Sequence, residues 1–179
     1  MHAQAPVIET ERLILRGHRI DDFDAIAAQW ADPAVVKYIG GTPSSREASW
    51  SRLLRYPGHW QMLGFGYWIV FEKHNGKEGA FAGEIGLADY QREMTPSLDG
   101  MAEMGWVVAP QFHGKGYAVE AARAVLSWAD ENLDRQLCCI IAPEHQASVR
   151  LAEKCGFVAH TDTTYHGSAT RIFLRQPKA

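Results

Sequence analysis

Gln111-Phe-His-Gly114-Lys-Gly116-Tyr-Ala118 decides the reading of this chain. It follows an apolar run, Met101–Ala109, that Pro110 stops. It opens the segment Tyr117–Leu133, whose apolar residues at 118, 122, 125 and 129 have the spacing of a helix lying on a sheet. Two glycines let the backbone turn tightly and leave N–H groups without side-chain cover. The helix start adds unpaired N–H groups and the positive end of the helix dipole. A strand, a glycine loop and a helix N-terminus in this order predict a cradle for a pyrophosphate.

Three ligands compete for such a cradle. A nucleoside triphosphate calls for G-x-x-x-x-G-K-[ST], which is absent. A dinucleotide calls for G-x-G-x-x-G, but Val119 stands at the third glycine position, where close helix packing leaves no room for a side chain. That fold also needs a second half, and only the segment up to Ala179 remains. Coenzyme A carries a pyrophosphate on an extended pantetheine arm, and the pattern Q-x-x-G-x-G-x-A suits it without a gap. The bland alternative is a turn that uses glycines for geometry alone.

Outward from the loop, the chain reads as a mixed α/β sheet, antiparallel at first, with one crossover unit after residue 101. Toward the N-terminus, Val7–Arg16 reads as a strand and Asp21–Ala31 as an amphipathic helix capped by its aspartates and ended by Pro33. A second helix starts at Ser44 or Ser45 and runs to Pro57. Phe65–Lys73 is a buried strand, Asn75-Gly76 a hairpin turn, Ala80–Tyr90 its partner, and Arg92–Gly100 a polar loop. Toward the C-terminus, Leu137–Ala142 is a short apolar strand and Ala147–Cys155 a helix ended by Gly156. Phe157–Tyr165 and Thr170–Arg175 form a last pair of strands around Gly167.

The chain has 179 residues, 46 % hydrophobic and 22 % charged, with a formal net charge of −3. It reads as a single domain over 1–179. With no basic stripe it is not a nucleic-acid binder, and a mildly acidic surface accords with an amine substrate. The N-terminus has no apolar signal core, and no apolar run approaches the ~20 residues that cross a bilayer. The expected location is therefore the cytoplasm, with no membrane partner. Cys138, Cys139 and Cys155 are expected to be small buried hydrophobes rather than disulfides. The histidines show no ligand spacing, so no metal is expected.

The same residues resemble the GNAT superfamily of N-acetyltransferases, and within it the ribosomal-protein alanine and serine N-acetyltransferases. The resemblance spans nearly the whole chain. It rests on Glu9–Arg16, Asp32–Ile39, Ala102–Pro110 running into His113–Ala118, and Glu144–Phe157. It implies a GNAT-like fold, with a mostly antiparallel central sheet flanked by helices. It also implies direct transfer of an acetyl group from acetyl-CoA to a primary amine, on a protein N-terminus or a small molecule. Antibiotic, polyamine or amino-acid acetylation is the enzymatic alternative, and a non-catalytic acyl-CoA sensor the other. Dimers are common in the resembling group, which leaves a homodimer open.

The resemblance carries roles to particular positions. Backbone N–H groups around Trp106, Val107 and Val108 would polarise the thioester carbonyl. Gln111, His113, Gly114, Lys115, Gly116, Tyr117 and Ala118 would hold the pyrophosphate. Glu103, a carboxylate inside a core strand, is the candidate base; its structural alternative is a salt bridge. Ser148 would stabilise the departing thiolate, its alternative being a helix cap. The family's usual Asn is replaced by His145, and its frequent acidic Tyr by Ala152. Tyr38, Trp60 and Tyr165 are expected near the amine.

Overall fold

The computed structural model describes residues 4–176. One eight-stranded sheet runs through it in the order β1-β2-β3-β4-β5-β6-β8-β7. The strands are β1 (Ile8–Glu9), β2 (Leu13–Arg16), β3 (Tyr67–His74), β4 (Lys77–Ala88), β5 (Ala102–Val108), β6 (Leu137–Ile141), β7 (Val158–Tyr165) and β8 (Ser168–Arg175). All neighbours are antiparallel except β5 and β6. Helices α1 (Phe23–Ala31), α2 (Pro33–Val36) and α3 (Arg46–Leu63) precede β3. Helix α4 (Tyr117–Asn132) crosses from β5 to β6, and α5 (Gln146–Lys154) joins β6 to β7.

The two faces of the sheet have separate cores. On one, Ile26, Trp30, Val36 and Leu53 from α1–α3 pack on Ile69 and Val107. On the other, Ala121, Ala122 and Val125 of α4 and Val149, Leu151 and Ala152 of α5 join Val70, Ile85 and Met104. Asn75 and Gly76 both sit at positive φ, 51° and 75°, as the two-residue turn between β3 and β4 requires.

Local structure departs from the sequence expectation in four places. The first strand is two short ones, β1 and β2, folded back on each other. Pro33 does not simply end a helix: it is the first residue of α2, where its missing N–H costs nothing, and Asp32 caps it through the Ala34 N–H at 2.8 Å. Pro57 lies inside α3, which continues to Leu63; Leu53, Tyr56 and Trp60, buried on either side of it, hold the helix together by packing. Asp22 does not cap α1 with its side chain. It instead takes a forked pair of bonds from the Arg16 guanidinium, both 2.8 Å. All three cysteines are free and buried. No helix among the described residues is long and apolar enough to cross a membrane.

Candidate active site

The site begins where two strands part. β5 pairs with β4 along its length, from Gly83 opposite Val108 to Ala88 opposite Glu103. On its other edge it meets β6 only at Ala102–Leu137 and Glu103–Cys138. Past that point β6 stays with β8 through Ile141, so the edge of β5 from Met104 onward has no strand partner there. Backbone N–H and C=O groups left inside a fold require a partner. An extended, amide-rich arm such as pantetheine would supply one. At the mouth of the opening the His113 ring already lies 2.9 Å from the Val108 carbonyl oxygen.

The cradle follows directly. Pro110–Phe112 forms one 3-10 turn, after which Gly114 and Gly116 take positive φ, 76° and 80°. No side chain caps the N-terminus of α4. Among the described residues the N–H groups of Gly114 and Gly116 have no hydrogen-bond partner, and those of the first helical turn have none by helix geometry. A Cβ on Gly114 would meet nothing within 4 Å. The residues present therefore fit an anion: several N–H groups around open space at the positive end of a sixteen-residue helix.

Beneath the loop is a brace with no sequence signal. Arg12 donates to the Lys115 carbonyl at 2.9 Å and to Glu120 at 2.7 Å. Thr10 also donates to Glu120, at 2.6 Å. Arg12 lies over the Tyr117 ring, and the Tyr117 hydroxyl donates to Glu72. Tyr117 is thus a packing and anchoring residue, while Lys115 is exposed, its ammonium 4.9 Å from the Phe112 ring centroid.

On the α5 side of the opening, Trp106 Nε1–H donates to Ser148 Oγ at 3.1 Å, and His145 Nε2 lies 3.4 Å from the same oxygen. The His145 ring is stacked on Tyr38, centroids 4.4 Å apart. Burial, and then the charge of His113, hold the His145 imidazolium below its ordinary pKa. Ser148 is the third residue of α5 and its hydroxyl engages Trp106, so it does not cap the helix.

On the α1–α3 face, Glu103 is 8 % exposed and takes a forked pair of bonds from Arg92, 2.6 and 2.8 Å. Burial works against the Arg92 charge, but those bonds outweigh it and hold the guanidinium above its ordinary pKa. Arg92 also lies over the rings of Tyr90 and Tyr165. The Tyr90 hydroxyl donates to Tyr67 Oη at 3.3 Å, and that oxygen rests on β5 where a Cβ on Gly105 would be only 2.1 Å away.

Several predicted site residues thus come together: Trp106, Ser148, His145 and Tyr38 in one group, Glu103 and Tyr165 through Arg92, and Val108 with His113 of the loop. Trp60 does not. It is 4 % exposed, packed edge-on against Trp68 and Trp128, with its indole N–H bonded to the Tyr67 carbonyl. The expectation that it lines the amine site is corrected: it is a core residue. Sequence reasoning missed Arg92, Tyr67 and Tyr90. It also missed Glu84, a 1 %-exposed carboxylate opposite Val107. That carboxylate takes a 2.6 Å bond from Trp30 Nε1–H and lies 2.9 Å from His18 Nε2. The one signal for Glu84 was an acidic residue inside an apolar strand.

A parted parallel pair feeding a bare glycine cradle at a helix N-terminus defines an acyl-coenzyme A transferase architecture. The family model of the GNAT acetyltransferase domain matches residues 12–158. The chain belongs to that family and is an acetyl-CoA-dependent acetyltransferase. It is similar to an acetyltransferase from Agrobacterium tumefaciens, with 26 % identity, a TM-score of 0.80, and 98 % of this chain and 97 % of that one covered. Two more distant structures share the fold. The ribosomal-protein-S5-alanine acetyltransferase from Vibrio fischeri is 16 % identical, with a TM-score of 0.74, covering 96 % of this chain and 97 % of that one. The spermidine N-acetyltransferase from Vibrio cholerae, in complex with CoA and spermine, is 20 % identical, with a TM-score of 0.69, covering 92 % of this chain and 94 % of that one.

Proposed function

We propose that the enzyme moves the acetyl group of acetyl-CoA to a primary amine, a protein N-terminal α-amine or a small amine, by direct attack. The observation that carries this reading is the parting of β5 from β6 after Glu103, in line with the uncapped N–H cradle of Gly114 and Gly116. The cradle holds the diphosphate. The freed edge of β5 aligns the arm and turns N–H groups between Trp106 and Val108 toward the thioester carbonyl, where oxyanion charge develops. The amine enters from the α1–α3 face, beside Tyr165 and the Glu103–Arg92 pair. Arg92 occupies part of the Glu103 carboxylate, so Glu103 receives the amine proton through a water on its remaining lone pairs. Ser148 donates a hydrogen bond to the departing sulfur. An α-amino group, with an ordinary pKa near 8, is neutral more often at pH 7 than a lysine near 10.4, and is the easier nucleophile.

Calorimetry with coenzyme A, followed by free-thiol release from acetyl-CoA across a panel of peptide N-termini, amino acids and polyamines, tests this. Micromolar affinity and amine-dependent thiol release are expected. Affinity without release from any amine would refute the catalytic reading in favour of a sensor.

A further inference from the structure

Three polar groups meet at Ser148, and their donor and acceptor capacities constrain one another. A serine hydroxyl has one proton to give and two lone pairs. Trp106 Nε1 can only donate, so at 3.1 Å it fills one lone pair. His145 Nε2, at 3.4 Å, is the only other protein group hydrogen-bonded to that oxygen among the described residues. If Nε2 is bare, it takes the serine proton and turns the hydroxyl away from the opening. If Nε2 carries hydrogen, it fills the second lone pair, and the serine proton has nowhere to go except into the opening.

We propose that His145, as the Nε2–H tautomer, is a positioning residue that sets the direction of the Ser148 proton and aims it at the coenzyme A sulfur. The proposal rests on the acetyl-CoA reading above. Tyr38 is part of the device. Its ring, 4.4 Å from the imidazole and tilted by only 15°, holds the imidazole plane so that Nε2 faces Ser148. A flat ring clamped from the α2–α3 connection thus acts through a neighbour. Ala152 gives the sulfur no donor, and Ser148 carries the buried hydroxyl of α5.

The test reads the ionisation of the bound thiol, not turnover. Coenzyme A is bound to the wild type, Ser148→Ala, His145→Ala, the double variant and His145→Gln. The thiolate is then titrated by its far-ultraviolet absorbance, with the dissociation constant of each complex measured by calorimetry. A hydrogen bond to a charged sulfur should favour the thiolate by about tenfold. Ser148→Ala should lose that factor, His145→Ala, which frees the hydroxyl to rotate, should lose part of it, and the double variant should lose no more than Ser148→Ala alone. His145→Gln keeps an N–H donor of similar reach and should restore the ionisation. Losses that multiply in the double variant, or an unshifted thiol in His145→Ala, would overturn the proposal while leaving the cofactor reading standing. A wild type without affinity for coenzyme A would overturn both.

Discussion

Replacing Glu84 by alanine should strongly destabilise the packing of α1 on the sheet, whereas glutamine should be tolerated. The Glu84 side chain has no solvent exposure and faces donors from two segments outside its own strand. Trp30 Nε1–H lies at 2.6 Å, Gln29 Nε2 at 3.3 Å and His18 Nε2 at 2.9 Å. Alanine removes every acceptor at once. The indole N–H cannot reverse its polarity, so it is stranded at about 1–3 kcal/mol. His18 can change tautomer, but its Nδ1 is already buried without a partner, so in the variant both of its ring nitrogens lack one. The lost volume adds a cavity between α1 and the sheet. The sum is about 3–5 kcal/mol, comparable to breaking a buried ion pair from one side. That is a large share of the 5–15 kcal/mol typical of a domain. Glutamine keeps a carbonyl oxygen for Trp30 and offers His18 an N–H, and should cost about 1–2 kcal/mol. Urea unfolding followed by tryptophan fluorescence measures both, with unchanged m-values required for the comparison. An alanine variant within about 1 kcal/mol of wild type, or glutamine as costly as alanine, would refute the view of Glu84 as a hydrogen-bonding hub.

Other consequences are open to simpler measurements. Gly114 and Gly167 share the same backbone, φ 76° and 77°, with open space at the Cβ position, so alanine at either should cost about 1 kcal/mol of stability. Only Gly114→Ala should also weaken coenzyme A binding, by about tenfold in calorimetry, and equal affinities would remove the cradle assignment. Glu103→Gln should lower kcat at least tenfold while leaving coenzyme A affinity within about twofold, and an unchanged kcat would reduce the carboxylate to a partner for Arg92. Burial pushes the Cys138 thiol up to about 12 and the Cys139 and Cys155 thiols upward as well. Since burial disfavours the thiolate, alkylation at pH 8 should be slow in native protein and fast in denaturant; rapid native labelling of Cys138 would contradict that.

The elements legible in the chain were those whose causes lie within a few residues. Asn75-Gly76 fixes its turn through backbone preference, the spacing from Ala118 to Ala129 fixes the buried stripe of α4, and the glycines of the loop fix the exposed N–H groups. Pro57 misled because the same local rule was outweighed by packing of Tyr56 and Trp60 on either side. Glu103 was legible as a carboxylate out of place, but its Arg92 partner was not, because a polar loop gives no sign of where its cation will fold back.

The sequence by itself determined that a glycine loop between a strand and a helix would offer bare amides to an anion, since φ freedom and helix polarity are properties of neighbouring residues. Only the tertiary structure decided that β6 would follow β8 and leave β5 after Glu103, that Trp60 would turn into the core, and that Trp106, His145 and Tyr38 would meet around Ser148. Those contacts join residues remote in the chain. Their geometry is set by which surfaces can be buried together, a competition over the whole molecule that no short window of residues records.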